Sequence, residues 1–460
     1  MSHAAAPSLA PSRVRPWWER ALTRLIQAAS LSLLLTALWL VARLVPDSQS
    51  RFGTIAAVGF LLLAGTLTSQ LVELVGLPHL TGYLLAGIVA GPYALGLIDQ
   101  SSVEDLTQVN ALALALIALE GGAHLRVATL RAGWRSLAYA TVLQSLVVSF
   151  AIGGVFIALR PWIPFARDLP LTGLVGAGLL WGTVAVTRSP SATLGILAQT
   201  RARGPIATST LTFVMTSDLV VIVQLACVMV VARPLLDPTA SFSFAELTSL
   251  GHELLGSVAL GTTLGLVLAA YIRLVGAQLI IMFVALGFGM TEMLSFLHFE
   301  PLLTFMVAGF VVQNLSKQGP KFLEAIERTG SIVYVIFFAT AGANLNLRML
   351  RELWPIAVAL ASSRALVTYG AGRLSARLAG DPPLLKKWSW TGLVAQAGLA
   401  LGVAAVVERT FPLLGKGFAA LSIATVALNQ LVGPVLYKLA LDRTGESRKP
   451  GTPSPSLPDV

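Results

Sequence analysis

Long apolar segments, separated by short breaks that carry charge or proline, occupy most of the chain. A helix needs about 20 mostly apolar residues to cross a bilayer. Stretches close to that length lie at residues 30–46, 53–75, 80–98, 105–123, 134–160, 170–200, 205–233, 249–271, 276–297, 300–315, 328–345, 352–377, 385–409 and 415–440. The pattern predicts an all-α, multi-pass membrane protein whose membrane domain covers 30–440.

The two ends of the chain depart from this pattern. Residues 1–29 form a segment with several prolines and arginines, and no small-residue cleavage site follows the apolar stretch at 30–46. We therefore predict a cytoplasmic N-terminal segment and an uncleaved extra span, rather than a signal peptide; the alternative for 30–46 is a helix that lies at the membrane interface. Residues 441–460 are rich in proline and serine, which predicts a disordered tail.

The two halves of the membrane domain share a spacing of acidic and histidine residues. Glu73 precedes His79 by six residues, as Glu292 precedes His298, and an offset of 219 residues separates the two pairs. The same offset brings later spans of the first half close to spans of the second. An odd number of spans separates the two starts, so equivalent helices face opposite ways, as in transporters built from inverted repeats. The predicted units are repeat one at 53–233, a linker helix at 249–271 and repeat two at 276–440.

The predicted span at 170–200 contains a helix break. Pro190 removes a backbone donor and interrupts the hydrogen-bond ladder. Carbonyl groups freed by such a break, together with the hydroxyls of Thr187 and Ser189, can ligate a cation.

The span at 385–409 has an equivalent feature in the second repeat. It carries Gln396 and the conformationally permissive Gly398, which allows a second break. Either break alone is compatible with a harmless kink. Two broken helices at matching repeat positions predict an ion site near the middle of the membrane.

Ionisable residues inside membrane spans are energetically unfavourable and usually functional. Four matter here: Glu120, Arg188, Asp218 and Arg364. Asp218 has no cation within a helical turn or two, and a low-dielectric environment disfavours its ionised form. Such a carboxyl can exchange a proton and, when ionised, bind a monovalent cation with help from the Ser217 hydroxyl. The alternative is a structural carboxylate paired with an arginine elsewhere.

The other three ionisable residues are predicted to compensate charge. Arg364 stays protonated, and it either offsets the dipole ends of the broken helices or forms a structural ion pair. Glu120 and Arg188 either pair with each other or act separately. An Arg188 placed at the cation site would supply a tethered positive charge and weaken ion binding.

Composition narrows the class of protein further. Of the 460 residues, 55% are hydrophobic and only 12% are charged, about half the charged fraction of a soluble domain. The net charge of +10 comes from Lys and Arg residues between the apolar stretches. If successive spans alternate in direction, most of these residues lie in loops on the same side of the membrane as the N-terminus. This bias indicates cytoplasmic termini and not a nucleic-acid partner. Cys227 is the single cysteine, and the sequence contains no motif of a hydrolase or of a nucleotide-binding site. We therefore predict no metal site, no cofactor and no enzymatic activity.

Six segments together resemble the monovalent cation:proton antiporter superfamily, in particular its Kef-like and bacterial sodium/proton exchanger branch. They are GLPHLTGYLLAGIVAGPYALGLID (76–99), TRSPSATLGIL (187–197), the TSDL around Asp218, EPLLTFMVAGFVVQN (300–314), FFATAGANLNLRML (337–350) and GLVAQAGLALG (392–402). The resemblance covers residues 53–440. No single segment is decisive, but the order and spacing of the six segments together are specific.

The resemblance implies a 13-helix core with two crossed broken helices, an extra N-terminal span and a homodimer whose core domain moves like an elevator. It implies ion binding at Asp218, and Arg364 matches the family's basic residue before the second broken helix. Four positions depart from the family's pattern. Ser217 replaces an acidic or amide residue, Leu399 replaces an acid, and Arg188 replaces a small polar residue or aspartate. The acid that is common at the end of the fourth span reads as Gly121 or Gly122, with Glu120 nearby.

The leading hypothesis is a secondary antiporter that exchanges H⁺ for Na⁺ or K⁺ by alternating access, without net charge movement, in a bacterial inner membrane. The alternative is a non-transporting sensor or regulatory subunit on the same fold, which Arg188 and the missing polar partners favour. A third possibility, a sodium-coupled organic-anion symporter, would require a roomy polar cavity.

Overall fold

The computed structural model describes residues 29–30, 32–33, 36, 51–237, 245–276, 278–297, 299–345 and 347–447. Within these ranges the chain is helical and contains no β-strand, which agrees with the predicted all-α class. Most of the predicted extra span at 30–46 lies outside the described residues, as does the end of the tail from residue 448 onwards.

The first half of the described chain consists of helices joined by short loops. They are α1 (Arg51–Glu73), α2 (His79–Ala90), α3 (Gln100–His124), the short α4 (Val127–Ala132), α5 (Trp134–Ala158), α6 (Leu171–Val186), α7 (Pro190–Thr200) and α8 (Pro205–Leu236). A single helix, α9 (Ala245–Leu274), follows and occupies the position of the predicted linker helix.

The second half repeats this order. It contains α10 (Leu279–Leu297), α11 (Pro301–Leu315), α12 (Gly319–Ala343), α13 (Leu347–Ala379), the short α14 (Pro383–Trp388), a 3₁₀ segment (Ser389–Leu393), α15 (Gly398–Thr410) and α16 (Pro412–Thr444). The 25-residue helices α3 and α12 begin 219 positions apart, which is the offset found in the sequence.

Contacts between the halves are reciprocal. Helix α3 packs against α11, and their counterparts α12 and α2 pack against each other in the same way, while α5 packs against its own counterpart α13. A two-fold axis that relates the two repeats would exchange each helix with its counterpart and would produce such reciprocal contacts. The two largest clusters of buried apolar residues accordingly include side chains from both halves.

Glycines at equivalent positions allow these close contacts. A Cβ atom on Gly122 of α3 would strike the Met306 carbonyl of α11, and one on Gly309 of α11 would strike α3. Gly342 and Gly87 have the same relation between α12 and α2. Small residues let helix backbones approach closely in a membrane, where packing replaces the hydrophobic effect between helices.

Six segments of the described chain are long and apolar enough to cross a bilayer, five of them within single helices and one formed by α6 and α7 together (Leu171–Thr200). The pair Pro383–Leu393 and Gly398–Thr410, bent by 50° at its break, makes a seventh. Other apolar helices, including α2 and α11, are shorter than a full span. The count of 13 core helices thus remains a prediction.

One predicted boundary is wrong. Residues 441–447 were expected to be part of a disordered tail, but α16 continues to Thr444 and the chain then folds back onto α8. The Glu446 carboxylate accepts hydrogen bonds of 2.8 Å from the backbone N–H groups of Ile206 and Ala207. These donors are unpaired at a helix start, so a carboxylate caps them well. The Pro/Ser composition that suggested disorder begins only beyond this cap.

We expect Gly122→Ala to lower the apparent melting temperature of the purified protein, because the added methyl group forces α3 and α11 apart. Overpacking of this kind costs about 1–3 kcal/mol. The matched control is Gly154→Ala, since a Cβ atom at Gly154 meets nothing within 4 Å. Thermal unfolding in detergent, followed by intrinsic fluorescence, compares the two. Equal melting temperatures for both variants would show that this contact does not depend on glycine.

Candidate ion-binding site at the broken helices

The first broken helix has an extended connection where the sequence predicted a break. Helix α6 ends at Val186 and α7 begins at Pro190, which occupies a helix start, where proline is tolerated. The Ser189 hydroxyl accepts a hydrogen bond of 3.1 Å from the N–H of Ala192 and so caps α7. The carbonyl groups at the end of α6 have no partners within their helix and need others.

Arg364 joins the two broken helices. Its guanidinium donates to the Ala185 and Thr187 carbonyls at the first break, at 2.6 and 2.8 Å. It also donates to the Leu393 and Val394 carbonyls at the second break, at 3.2 and 2.7 Å. The side chain is 2% exposed. Its positive charge thus meets the negative dipole ends of both helices, which is the first of the two roles considered for it.

A chain of amides and a hydroxyl adds a second connection between the breaks. The Gln396 amide donates to the Val184 carbonyl at 2.8 Å and to the Thr187 hydroxyl at 2.9 Å. Asn429 of α16 in turn donates to the Gln396 carbonyl oxygen at 2.7 Å. Gln396 and Thr187, both predicted site residues, are therefore engaged with each other.

Arg188 is held by neutral groups. It donates to the Val186 carbonyl at 2.6 Å and to the side-chain oxygen of Gln144 at 3.3 Å. Its guanidinium carbon lies 4.6 Å from the ring centroid of Phe213. The side chain is 1% exposed, and its Nε has no hydrogen-bond partner.

The suggested pairing of Glu120 with Arg188 is wrong. Tyr334 of α12 donates a hydrogen bond of 3.0 Å to the Glu120 carboxylate, and the His124 ring contacts the backbone carbonyl of Glu120 at 3.0 Å. Glu120 is 4% exposed and belongs to the contact between α3 and α12. No salt bridge forms between Arg188 and either Glu120 or Asp218, all three of which the structure describes.

Asp218 lines a cavity, partly open to the outside, between the two breaks. Its Oδ1 atom is buried and has no hydrogen-bond partner. The lining is mostly apolar, with polar groups contributed by Arg188, Ser191 and Glu300 as well as Asp218. Pro190 of the first break and Ala397, Gly398 and Leu399 of the second complete the opposite walls. The cavity thus brings together both broken helices and the isolated carboxyl.

Comparison with known families agrees with this arrangement. The family model described as "Sodium/hydrogen exchanger, transmembrane" matches residues 58–441. The chain belongs to the sodium/hydrogen exchanger family. It is therefore a multi-pass membrane transporter and not an enzyme, as the sequence predicted.

Two solved structures share the exchanger's fold. Both are of the sodium proton antiporter MjNhaP1 from Methanocaldococcus jannaschii. One, at pH 8, superposes with a TM-score of 0.64 at 16% identity and covers 85% of this chain and 97% of that chain. The other, from electron microscopy, gives a TM-score of 0.70 at 17% identity and covers 87% and 100%. These matches confirm the predicted antiporter fold.

Three predicted ligands of the exchanger lie outside the cavity lining. Ser217 donates its hydroxyl hydrogen to the Val214 carbonyl of its own helix at 2.8 Å. Thr187 donates to the Val184 carbonyl at 2.7 Å, and Ser189 caps α7. A hydroxyl in a helix or at its cap often bonds locally, which removes it as a free ligand.

Glu300 also lines the cavity, a role that its sequence pattern did not predict. Glu300 precedes Pro301 and caps α11: its Oε2 accepts a hydrogen bond of 2.6 Å from the N–H of Leu303. An acidic residue before proline at the start of an apolar run is a helix-start signal. That signal predicted a cap, but not that the cap would face Asp218 across the cavity. Gln144 and Asn429 were likewise missed, because nothing local distinguishes a bridging amide.

We expect Arg364→Lys to lower the apparent melting temperature and to reduce ion exchange, because a lysine carries three donors at one point and cannot span both breaks as a planar guanidinium does. Arg377→Lys, on an exposed face of the same helix, is the control. Thermal unfolding and cation-driven proton flux in proteoliposomes measure the two effects. A lysine variant as stable and active as the control would mean that positive charge alone suffices.

Proposed function

We propose that this exchanger performs antiport of H⁺ against Na⁺ or K⁺ by alternating access. The observation that carries the proposal is the Asp218 carboxyl, which faces a cavity between two broken helices with an oxygen that no protein group satisfies. A buried carboxylate without a permanent partner is unstable unless a proton or a cation occupies it. Membership of the sodium/hydrogen exchanger family supports the same conclusion.

Competition at Asp218 couples the two fluxes. One carboxyl holds either a proton or a cation, so loading one ion on one side of the membrane displaces the other. Arg364 is engaged by four carbonyls and Arg188 by a carbonyl and an amide, so neither exchanges a proton in the cycle. One proton therefore moves for each monovalent cation, and the cycle transfers no net charge.

The setting of this cycle follows from the predicted topology. We propose a homodimer in a bacterial inner membrane with both termini in the cytoplasm, which the distribution of the 32 Lys and Arg residues supports. Inverted repeats at 53–233 and 276–440, joined by the linker helix at 249–271, supply the two-fold relation that alternating access uses.

A second candidate function is that of a non-transporting sensor. The observation that favours it is Arg188, whose positive charge lines the cavity that holds Asp218. A fixed cation there competes with a mobile one. In this case Asp218 would titrate, but it would not move ions.

We expect Asp218→Asn to abolish cation-driven proton flux, because an amide can neither bind a proton exchangeably nor attract a cation. Proteoliposomes with an internal pH dye receive Na⁺, K⁺ or Li⁺ separately, which also identifies the transported ion. Asp442→Asn, which removes a half-exposed carboxylate near the end of α16, is the matched control and should transport normally.

Two other results would change the conclusion. No flux from wild type with any cation, over a range of pH, supports the sensor. Flux that is equal in wild type and Asp218→Asn excludes Asp218 as the exchanging group.

We expect the Na⁺ gradient that balances a given pH gradient to stay the same when a voltage is imposed across the vesicle membrane, because a one-for-one cycle moves no net charge. The measurement finds the Na⁺ ratio at zero proton flux at several voltages set by a lipophilic anion. A ratio that shifts in proportion to voltage would contradict the one-for-one stoichiometry.

A further inference from the structure

Three charged side chains meet at one cavity. Asp218, Glu300 and Arg188 all line it, and Glu300 and Arg188 both act electrostatically on the Asp218 carboxyl. Two of the three have unused polar atoms: the buried Oδ1 of Asp218 and the buried Nε of Arg188 have no hydrogen-bond partners. The other lining groups are mainly leucine, isoleucine, methionine and alanine side chains, so these charges interact without a surrounding polar shell.

Glu300 is fixed in place by two elements. Its carboxylate caps α11 through the N–H of Leu303, and its own N–H donates a hydrogen bond of 2.9 Å to the Ser257 hydroxyl of α9. A hydrogen bond from a backbone N–H and the positive end of a helix dipole both stabilise an anion. These contacts stabilise the ionised form of Glu300 against the desolvation that its burial imposes.

Arg188 supplies a positive charge that cannot leave. Its guanidinium is held by the Val186 carbonyl, by Gln144 and by the face of Phe213, and it does not lose its proton in proteins. With Asp218 alone, this charge would make the cavity neutral and leave nothing to attract a cation. The site therefore needs a second negative charge.

We infer that Glu300 offsets Arg188, so that the cavity keeps one net negative charge for a monovalent cation at Asp218. This inference rests on the proposed antiport function. Protonated Asp218 gives a neutral cavity, and so does ionised Asp218 with a bound Na⁺ or K⁺. The empty cavity with ionised Asp218 carries one uncompensated charge in an apolar environment, which is unfavourable. Glu300 thus makes both loaded states equally neutral and disfavours movement of the empty carrier.

The test compares Glu300→Gln with the double variant Glu300→Gln/Arg188→Gln. Glutamine keeps an oxygen for the Leu303 N–H, so the cap survives while the charge is lost. A single nearby charge changes the affinity of a carboxylate for a proton by roughly tenfold to a thousandfold. We expect Glu300→Gln to raise the KM for Na⁺ by about tenfold or more and the double variant to recover most of this loss, since it again has one net negative charge.

Three further variants serve as controls. Glu300→Asp keeps the charge and the cap and should retain most of the affinity, which tests the inference even if Arg188→Gln does not fold. Arg188→Lys in the Glu300→Gln background keeps the positive charge and should not restore affinity. Glu324→Gln removes an exposed carboxylate of α12 and should leave the KM unchanged.

Na⁺-dependent thermal stabilisation in detergent provides a second measurement that needs no transport. It should be present in wild type, lost in Glu300→Gln and restored in the double variant. An unchanged KM and stabilisation in Glu300→Gln, or a double variant as impaired as the single one, would overturn the inference.

The two proposals fail in different ways. If wild type transports, Asp218→Asn is inactive and Glu300→Gln behaves as wild type, only the role of Glu300 is wrong. If wild type shows no flux but Na⁺ stabilises it in a manner that depends on Glu300, the charge balance holds and transport is wrong.

Discussion

The structure depends on satisfying the ends of two helices that stop inside the protein. Each break leaves carbonyl groups that a membrane interior cannot hydrate, and an unsatisfied polar group there costs several kcal/mol. Arg364 meets this requirement at both breaks with one side chain, through carbonyls at 2.6 to 3.2 Å. Gln396 adds a second connection. The two breaks are therefore tied to each other by shared hydrogen bonds.

This arrangement explains why Asp218 remains available. The carbonyl and amide groups near the breaks form hydrogen bonds with arginine, glutamine and asparagine side chains. The nearby hydroxyls donate hydrogen bonds within their own helices. The Asp218 carboxyl is left as the group facing the cavity with an oxygen that the protein does not satisfy. The hydrogen bonds that hold the groups around the breaks in place thus also leave the Asp218 carboxyl without a partner.

The sequence predicted the elements that depend on local pattern. Apolar length, proline and glycine located both breaks, and the 219-residue offset between Glu73 and Glu292 reappears in the starts of α3 and α12. It could not assign partners, because these are decided by which helices cross. Glu120 was matched with Arg188 by charge alone, but the crossing places it beside Tyr334 instead.

The role of hydroxyls and of helix caps was hard to predict for a related reason. Ser217 and Thr187 have the composition of ligands, but whether a hydroxyl bonds within its helix depends on rotamer and local backbone. Glu300 has an ordinary capping pattern, and its position opposite Asp218 results from the packing of α11 against α3 and α9.

The cap that Glu446 places on α8 has a consequence for how the protein is made. Helix α8 carries Asp218 and belongs to the first half of the chain, but the carboxylate that completes its N-terminus lies beyond the last helix. During synthesis, α8 remains uncapped until the whole second half has left the ribosome. The helix that carries Asp218 is thus among the last parts of the molecule to be completed.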